Sequence, residues 1–296
     1  MPYLGEIAAL SGALFWGLCA ILFESAGRRI GPFYTNLIRI AIAVLALALT
    51  RFMVYGSPLP LHVDRSAVWW LGASGVVGLA IGDGALFSCL VILGPRLATL
   101  LLSLAPPITA LLAWITLGET LNPLAWLGIV LTIAGIFWVV SEKESEWKVR
   151  GSRIQGILLG LVAALGQGVG IILAKFGLQN EIDALSATLL RMVPAAAVLW
   201  LWAMLTGAAG AAASSMRDRK AGLATLGGAV FGPYIGVWLA LVAVKYTEAG
   251  VAATLLATVP ILIIPMVMII HRSRPSIRAV TGTLIAVAGV SLLFLR

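Results

Sequence analysis

The chain has 296 residues, of which 61% are hydrophobic and 11% charged, and its formal net charge is +8. Soluble proteins carry about 45–50% apolar and about 25% charged residues, so this composition excludes a water-soluble fold and makes lipid the solvent. The basic residues lie in short connectors between apolar runs, a pattern typical of membrane topology and not of nucleic-acid binding. Cys19 and Cys89 are isolated within apolar runs, so neither a disulfide framework nor a metal site is predicted.

Ten apolar segments are each long enough to cross a bilayer as a helix, which takes about 20 residues. In chain order, they are predicted at residues 4–23, 33–53, 68–91, 97–117, 123–140, 154–176, 184–206, 222–244, 249–270 and 276–295. The first segment lacks a basic n-region and a small-residue cleavage site, so it is predicted to be a membrane helix and not a signal peptide. The predicted fold class is therefore an all-α integral membrane protein with ten transmembrane helices.

The second half of the chain repeats the first. Arg39 matches Arg191 with an offset of 152 residues, and Pro106 matches Pro260 with an offset of 154. Eight other matches occur in the same order, with offsets of 151 to 154: Gly5 with Gly156, Gly17 with Gly168, Ile21 with Ile172, Ile81 with Ile235, Gly82 with Gly236, Ala98 with Ala252, Gly128 with Gly282 and Gly135 with Gly289. The ordered series indicates a duplicated chain.

The matches divide the chain into two related units. A first five-helix repeat is predicted at residues 1–140 and a second at 154–296, with a charged linker at 141–153. Each repeat holds an odd number of helices, so the second copy must enter the membrane from the opposite side, as in many secondary transporters. Small residues such as Gly128 and Gly282 allow close helix contact in helices 5 and 10. That contact could lie within the chain or between two copies, so a monomer and a homodimer both stay open.

These residues resemble the EamA repeats of the drug/metabolite transporter superfamily. The resemblance covers essentially the whole chain, and it is carried by Ala9-Leu10 through Trp16-Gly17, Pro106 with Leu117-Gly118-Glu119, Gly128 through Ala134-Gly135, and Ala243-Val244-Lys245-Tyr246-Thr247 through Ala252. It implies a ten-helix exporter of small metabolites in the inner membrane of a bacterium, and amino-acid exporters of the YddG type are the favoured branch. The second half departs from the pattern where Gly118-Glu119 is matched by Arg272-Ser273.

Loop charges predict the orientation, because Lys and Arg in short loops are enriched on the cytoplasmic side. The other side of the membrane holds four: Arg51, Arg65, Lys245 and Arg296. The connectors after helices 1, 3, 5, 7 and 9 hold thirteen: Arg28, Arg29, Arg96, Lys143, Lys148, Arg150, Arg153, Arg217, Arg219, Lys220, Arg272, Arg274 and Arg278. This count places both termini outside the cytoplasm, whereas the family resemblance implies that both lie inside.

Prolines interrupt two apolar segments at matching places in the repeats. Pro106 and Pro107 lie in helix 4, and Pro260 and Pro265 lie in helix 9. Proline removes an internal hydrogen bond and clashes with the preceding turn. Helix breaks at corresponding positions point to a transporter's central substrate site, although a simple kink that improves packing is the alternative.

Three ionisable residues lie far enough inside the membrane to suggest a function. Asp83 is the acidic residue farthest from both ends of its helix, and it could exchange a proton or hold a substrate ammonium group. The structural alternative is that a buried partner such as Arg39 neutralises it. Arg39 and Arg191 could bind a substrate carboxylate or extend to the interface. Residues near helix ends are expected to be solvated: Glu6, Glu24, Glu119 and Lys175.

Polar and aromatic side chains on four predicted helices could line an amphipathic substrate pocket. The candidates are Trp16, Thr99, Ser103, Gln167, Tyr234 and Trp238. Trp16 and Gln167 are repeat partners, beside Gly17 and Gly168. Each of them could instead serve helix packing or the interfacial aromatic belt.

No nucleotide-binding, zinc-protease or serine-hydrolase motif is present, and His62 and His271 lie in separate loops, so neither a cofactor nor an enzyme activity is predicted. The leading hypothesis is a secondary transporter that exports small metabolites, amino acids above all, by alternating access through a central cavity between the repeats. Its partners would be the small-molecule substrate, the lipid bilayer and, if Asp83 titrates, a proton. The alternatives are a facilitator of drugs or other metabolites, a channel, and a membrane-embedded enzyme acting on lipid.

Overall fold

A computed structural model describes residues 3–60, 63–142, 151–178, 182–247, 249–272 and 275–294. Within these ranges every regular element is a helix, and ten helical spans are long and apolar enough to cross a membrane. The predicted all-α membrane fold is confirmed. Seven residues named in the sequence analysis lie outside these ranges: His62, Lys143, Lys148, Arg150, Ser273, Arg274 and Arg296. For Val244 and Lys245 the description covers the backbone only.

Five spans form the first half of the described chain. They are α1 Leu4–Ile30, α2 Pro32–Tyr55, α3 Arg65–Leu93, α4 Pro95–Leu117 and α5 Pro123–Val140. The third span consists of α3a (Arg65–Gly75), a π-helical segment (Val76–Gly82) and α3b (Asp83–Leu93). The fourth span consists of α4a (Pro95–Leu102) and α4b (Ala105–Leu117).

The second half follows the same plan. Three of its spans are single helices, α6 Arg153–Gly177, α7 Ala184–Leu205 and α10 Ile277–Phe294, and a short helix at Ala209–Ser215 follows α7. The eighth span consists of α8a (Arg219–Ala229), a π-helical segment (Val230–Gly236) and α8b (Val237–Tyr246). The ninth span consists of α9a (Ala249–Leu256) and α9b (Val259–His271).

Single glycines join α1 to α2 and α3 to α4. Gly31 has a φ of +94° and Gly94 a φ of +83°, a region that residues with a Cβ rarely adopt. Each is followed by a proline in the first turn of the next helix, Pro32 or Pro95, where the missing N–H leaves no helical hydrogen bond unmade. The chain therefore re-enters the membrane at once, which sets α2 beside α1 and α4a beside α3b.

The fourth and ninth spans are each interrupted between their two helices. Pro106 and Pro107 lie in the first turn of α4b, and Pro260 lies in the first turn of α9b. Because proline has no N–H and clashes with the turn before it, the preceding helix ends there. The expected break at Pro265 is not met, since Pro265 lies inside α9b and the helix continues past it. One missing hydrogen bond is tolerated where the residues on both sides keep theirs.

Two π-helical segments occupy corresponding places in the repeats, at Val76–Gly82 and Val230–Gly236. Both contain glycines that allow close helix contact: a Cβ on Gly232 would come within 2.8 Å of Cys19 Sγ on α1. Such segments are rare and often occur at functional sites. The first segment ends directly before Asp83, and the second ends directly before Val237, the residue at the corresponding position.

The small residues of α5 and α10 pack these two helices against each other within one chain. A Cβ added to Gly128 would lie 2.6 Å from the carbonyl oxygen of Gly289, and a Cβ added to Gly135 would lie 2.5 Å from the Ala286 nitrogen. The backbones therefore touch, as small-residue interfaces in membranes allow. This contact accounts for the small residues without a second copy of the chain.

Candidate functional site

Asp83 lies at the centre of a buried polar network. Its Oδ2 accepts a hydrogen bond from Arg39 Nη2 at 2.7 Å, and its Oδ1 accepts one from Gln167 Nε2 at 2.6 Å. Asn36 Oδ1 accepts a second bond from Arg39 Nη2, also at 2.7 Å. Asp83 is only 6% exposed, so the carboxylate meets protein donors on both oxygens. Three spans, α2, α3 and α6, are thereby joined through one side chain.

The surroundings of the ion pair are aromatic and well packed. The guanidinium carbon of Arg39 lies 5.2 Å from the centre of the Phe87 ring and 5.9 Å from that of Phe23, within cation–π range. Asn36 Nδ2 donates to the carbonyl oxygen of Leu79, inside the first π-helical segment. A buried ion pair holds only when its remaining donors and acceptors are satisfied, and these contacts satisfy most of them.

Arg191 is the repeat partner of Arg39, but its surroundings differ. Within the described residues its side chain makes no hydrogen bond and no ion pair, and its Nε is buried without a partner. Its Nη2 lies beside Gly78 of the first π-helical segment, 3.6 Å from where a Cβ on that glycine would stand. A Cβ on Gly75 would overlap the Arg191 carbonyl oxygen, so glycine is needed where α7 meets α3.

Trp16 and Gln167, which are also repeat partners, make different contacts. Gln167 binds Asp83, whereas Trp16 Nε1 lies against Gly236 at the end of the second π-helical segment. A Cβ on Gly236 would overlap that nitrogen. Among the described residues, the indole N–H of Trp16 donates no hydrogen bond to another side chain or carbonyl.

The remaining pocket candidates lie apart from the network. Thr99 and Ser103 donate to carbonyl oxygens of their own helical turn, at 2.9 and 3.2 Å. The hydroxyl of Tyr234 lies 3.1 Å from that of Thr50 on α2. Trp238, on α8b, is 64% exposed. The structure therefore brings together Asp83, Arg39 and Gln167, and leaves these four elsewhere.

The two ends of the helix bundle differ in packing. At the first end, α3b packs against α1 and α2, and α4a packs against α1 and α9b. The inverted repeat predicts matching contacts of α8b with α6 and α7, and of α9a with α6 and α4b, but no comparable packing occurs among the described residues. Leu97 of α4a is 5% exposed, whereas its counterpart Val251 of α9a is 37% exposed. The first end is thus closed and the second end open.

Glu24 lies buried at the closed end, contrary to the expectation of a solvated helix end. It pairs with Arg28, and its Oε2 lies 3.8 Å from His271 Nε2 at the end of α9b. α1 continues to Ile30 instead of ending near residue 23, because α9b covers this polar turn with protein. At the opposite end, Lys175 and Glu119 form an ion pair that remains about half exposed.

Sequence reasoning missed Asn36 and the two π-helical segments. Asn36 precedes Arg39 by three residues on one helix, so the two side chains share a face. That polar pair inside an apolar span was a usable signal for a buried network. The π geometry depends on how neighbouring spans press on the helix, and the sequence carries no comparable signal for it.

Comparisons with known proteins agree with this architecture. A model of the EamA-like transporter family matches residues 3–141 and 154–295. A permease-like protein of Bacillus subtilis (strain 168), YdzE, is 42% identical over 43 residues, which are 14% of this chain and 55% of that protein. One crystal structure matches with a TM-score of 0.64 and 18% identity over 97% of this chain and 95% of the other, a likeness of fold alone. The chain belongs to the EamA-like transporter family.

Proposed function

We propose that this protein is a secondary carrier that exports small metabolites, with amino acids as the favoured class, by alternating access between its two repeats. Membership of a transporter family supplies the general activity. The observation that carries the mechanism is the unequal closure of two ends built from equivalent helices. In an inverted repeat, exchanging the conformations of the halves converts a state open at one end into a state open at the other.

The loop charges give the open end a direction. The closed end is bounded by the connectors after the odd-numbered spans, where thirteen basic residues lie, against four on the other side. Positive loops favour the cytoplasm, so the closed end faces the cytoplasm and the open end faces outward. The cell membrane of a bacterium is the expected location.

Asp83 is the group assigned to energy coupling. Its two oxygens bind donors from α2 and α6, so protonation would remove the charge that joins these spans to α3b. Loss of that charge favours opening of the closed end. A proton that enters from outside could therefore alternate the carrier while it neutralises the carboxylate.

The second candidate function is a facilitator that equilibrates a drug or another metabolite. The observation in its favour is that Asp83 is already paired with Arg39, which is a sufficient structural role. A carrier of either kind differs from a lipid-modifying enzyme, because it moves an unchanged solute.

Purified protein in sealed liposomes tests the proposal. Vesicles preloaded with an unlabelled amino acid should take up the labelled compound transiently and saturably, and a panel of amino acids identifies the substrate. Amino-acid uptake no faster than in protein-free vesicles, or uptake that never saturates, would refute amino-acid export by this carrier. An imposed pH gradient then separates coupled export from facilitation.

A further inference from the structure

The two repeats differ at one position of the polar network. Asp83 is the first residue of α3b, directly after the π-helical segment that ends at Gly82. Its counterpart, directly after Gly236, is Val237, the first residue of α8b. The first repeat therefore carries a carboxylate where the second carries an isopropyl group.

The donors that would surround this missing carboxylate are present. In the first repeat, Arg39 and Gln167 donate to the two oxygens of Asp83. Their partners in the second repeat are Arg191 and Trp16, and both side chains carry N–H donors. Neither Arg191 nor the Trp16 indole donates a hydrogen bond within the described residues. Two donors thus lack the acceptor that the first repeat supplies.

The charges of this region are also unbalanced. Arg39 and Arg191 both lie well inside their spans, and among the described residues of the network Asp83 is the carboxylate that faces them. Arg39 holds it in a 2.7 Å contact, while Arg191 interacts with it only at a distance. An unpaired guanidinium inside a membrane is costly, so an anion from outside would be stabilised there.

The packing shows what the missing contact would do. At the closed end, the pair of Arg39 and Asp83 joins α2 to α3b. At the open end, the described part of α8b makes no comparable contact with α7, the helix that carries Arg191. Trp16 already lies against Gly236, next to Val237, so of the two contacts that Asp83 makes in the first repeat, the counterpart that lacks a comparable approach of the described helices is the one between α7 and α8b.

We propose that the substrate carries a carboxylate that takes, in the second repeat, the place that the Asp83 carboxylate has in the first. It accepts hydrogen bonds from Arg191 and from the Trp16 indole, and it closes the open end by joining α7 to α8b. Guanidinium and carboxylate form strong paired hydrogen bonds, which suits a contact that must hold two spans together. The side chain of Val237 and the stacked rings of Phe15 on α1 and Phe231 in the second π-helical segment, 5.3 Å apart, favour a substrate with an apolar part. The inference rests on the proposed carrier function.

A ligand-free test supplies the carboxylate from the protein. Val237→Asp should close the open end without substrate, and Val237→Asn, of the same shape but uncharged, should not. The readout is the rate at which a membrane-impermeant thiol reagent labels Ala253→Cys of α9a, in a chain whose Cys19 and Cys89 are replaced by alanine. We expect labelling about tenfold slower for the Asp variant than for the Asn variant, and restored by adding Arg191→Gln. Equal labelling of the folded Asp and Asn variants overturns the proposal.

A second test uses substrates in place of Val237→Asp and therefore does not depend on the folding of that variant. Each amino acid of the counterflow panel is paired with its carboxamide, for example L-leucine with L-leucinamide, at a pH where both amines are protonated. We expect the acid to be exchanged about tenfold faster than the amide, and Arg191→Gln to lose this preference. Arg278→Gln, at a partly exposed position beside Trp138 and outside the polar network, is the matched control and should keep it. If amides are exchanged as fast as acids, the carboxylate site is overturned and the carrier proposal stands. If no compound is exchanged, the carrier proposal is overturned, and the thiol-labelling result decides on the carboxylate site.

Discussion

Arg39 on α2 and Asp83 on α3b form a buried ion pair with 2.7 Å between Nη2 and Oδ2, at the end of the bundle that is closed. Among the described residues of the second repeat, no comparable contact joins the corresponding helices α7 and α8b. A charge that joins helices at one end only can bias which end is open.

Asp83→Asn keeps the shape of the side chain and removes its carboxylate charge. If Asp83 couples export to protons, the variant should preserve counterflow and lose accumulation driven by an imposed pH gradient. One proton moving down 100 mV supplies about 2.3 kcal/mol, enough for roughly a fiftyfold gradient of a neutral solute. Uptake into liposomes with and without a pH gradient measures both quantities. Asp64→Asn, at an exposed position before α3, is the control, and normal accumulation by Asp83→Asn would remove Asp83 from the coupling step.

The unequal closure of the two ends predicts unequal thiol access. Thr99 on α4a is buried, whereas its counterpart Ala253 on α9a is only partly buried. In a chain without native cysteines, Ala253→Cys should react with a membrane-impermeant reagent at least about tenfold faster than Thr99→Cys, since access follows the population of the open state. Mass spectrometry of labelled protein gives both rates. Similar rates at the two positions would mean that the ends are equally open in solution.

Gly75 is predicted to be essential for the contact between α3 and α7. A Cβ there would overlap the Arg191 carbonyl oxygen, so Gly75→Ala must push the two helices apart. Overpacking of this kind costs about 1–3 kcal/mol, visible as earlier thermal unfolding in detergent. Gly210→Ala, in the short helix after α7 where a Cβ would meet nothing within 4 Å, is the matched control and should be neutral or slightly stabilising. Equal melting of both variants would contradict the close approach of α3 to α7.

Asp183 predicts a pH-dependent stability of α7. Its Oδ1 accepts the Ser186 N–H at 2.9 Å as the helix cap. Burial tends to raise the pKa of Asp183, but hydrogen bonds from Ser186 and Leu185 and the charge of Arg51 outweigh it, so the pKa is lowered on balance. A lowered pKa in the folded state means that the cap stabilises above the ordinary pKa of about 3.9 and is lost as the pH falls through the lower folded value.

Asp183→Ala should therefore cost about 1 kcal/mol near neutral pH, and the difference from the parent chain should shrink in acid. Thermal unfolding followed across that pH range measures it. Asp183→Asn, which keeps a capping oxygen without the charge, should lose less than the alanine variant. A difference that stays constant with pH would show that the carboxylate charge plays no part in the cap.

Several features of the architecture could be predicted because each rests on a local or a periodic property of the chain. Apolar runs of about 20 residues identify spans wherever they occur, and the ordered matches of Arg39 with Arg191 and Pro106 with Pro260 indicate duplication. The ends of spans were less predictable. Glu24 follows the predicted end of the first span at residue 23 and is expected to be solvated, yet it is buried within α1, because α9b covers it and no local signal shows that cover.

The sequence by itself therefore determined the membrane class, the ten spans, the two repeats and the identity of the charged residues inside the membrane. Only the tertiary structure decided which of those residues contact each other. Asp83 binds Arg39 and Gln167. Arg191 occupies the position of Arg39 in the second repeat, but it forms no ion pair among the described residues. Span formation depends on the burial of apolar surface in lipid and on hydrogen bonds within each helix, both written in the local sequence. The pairing of buried charges depends on how separate spans pack, and two sequence-equivalent residues can differ once the halves adopt different conformations.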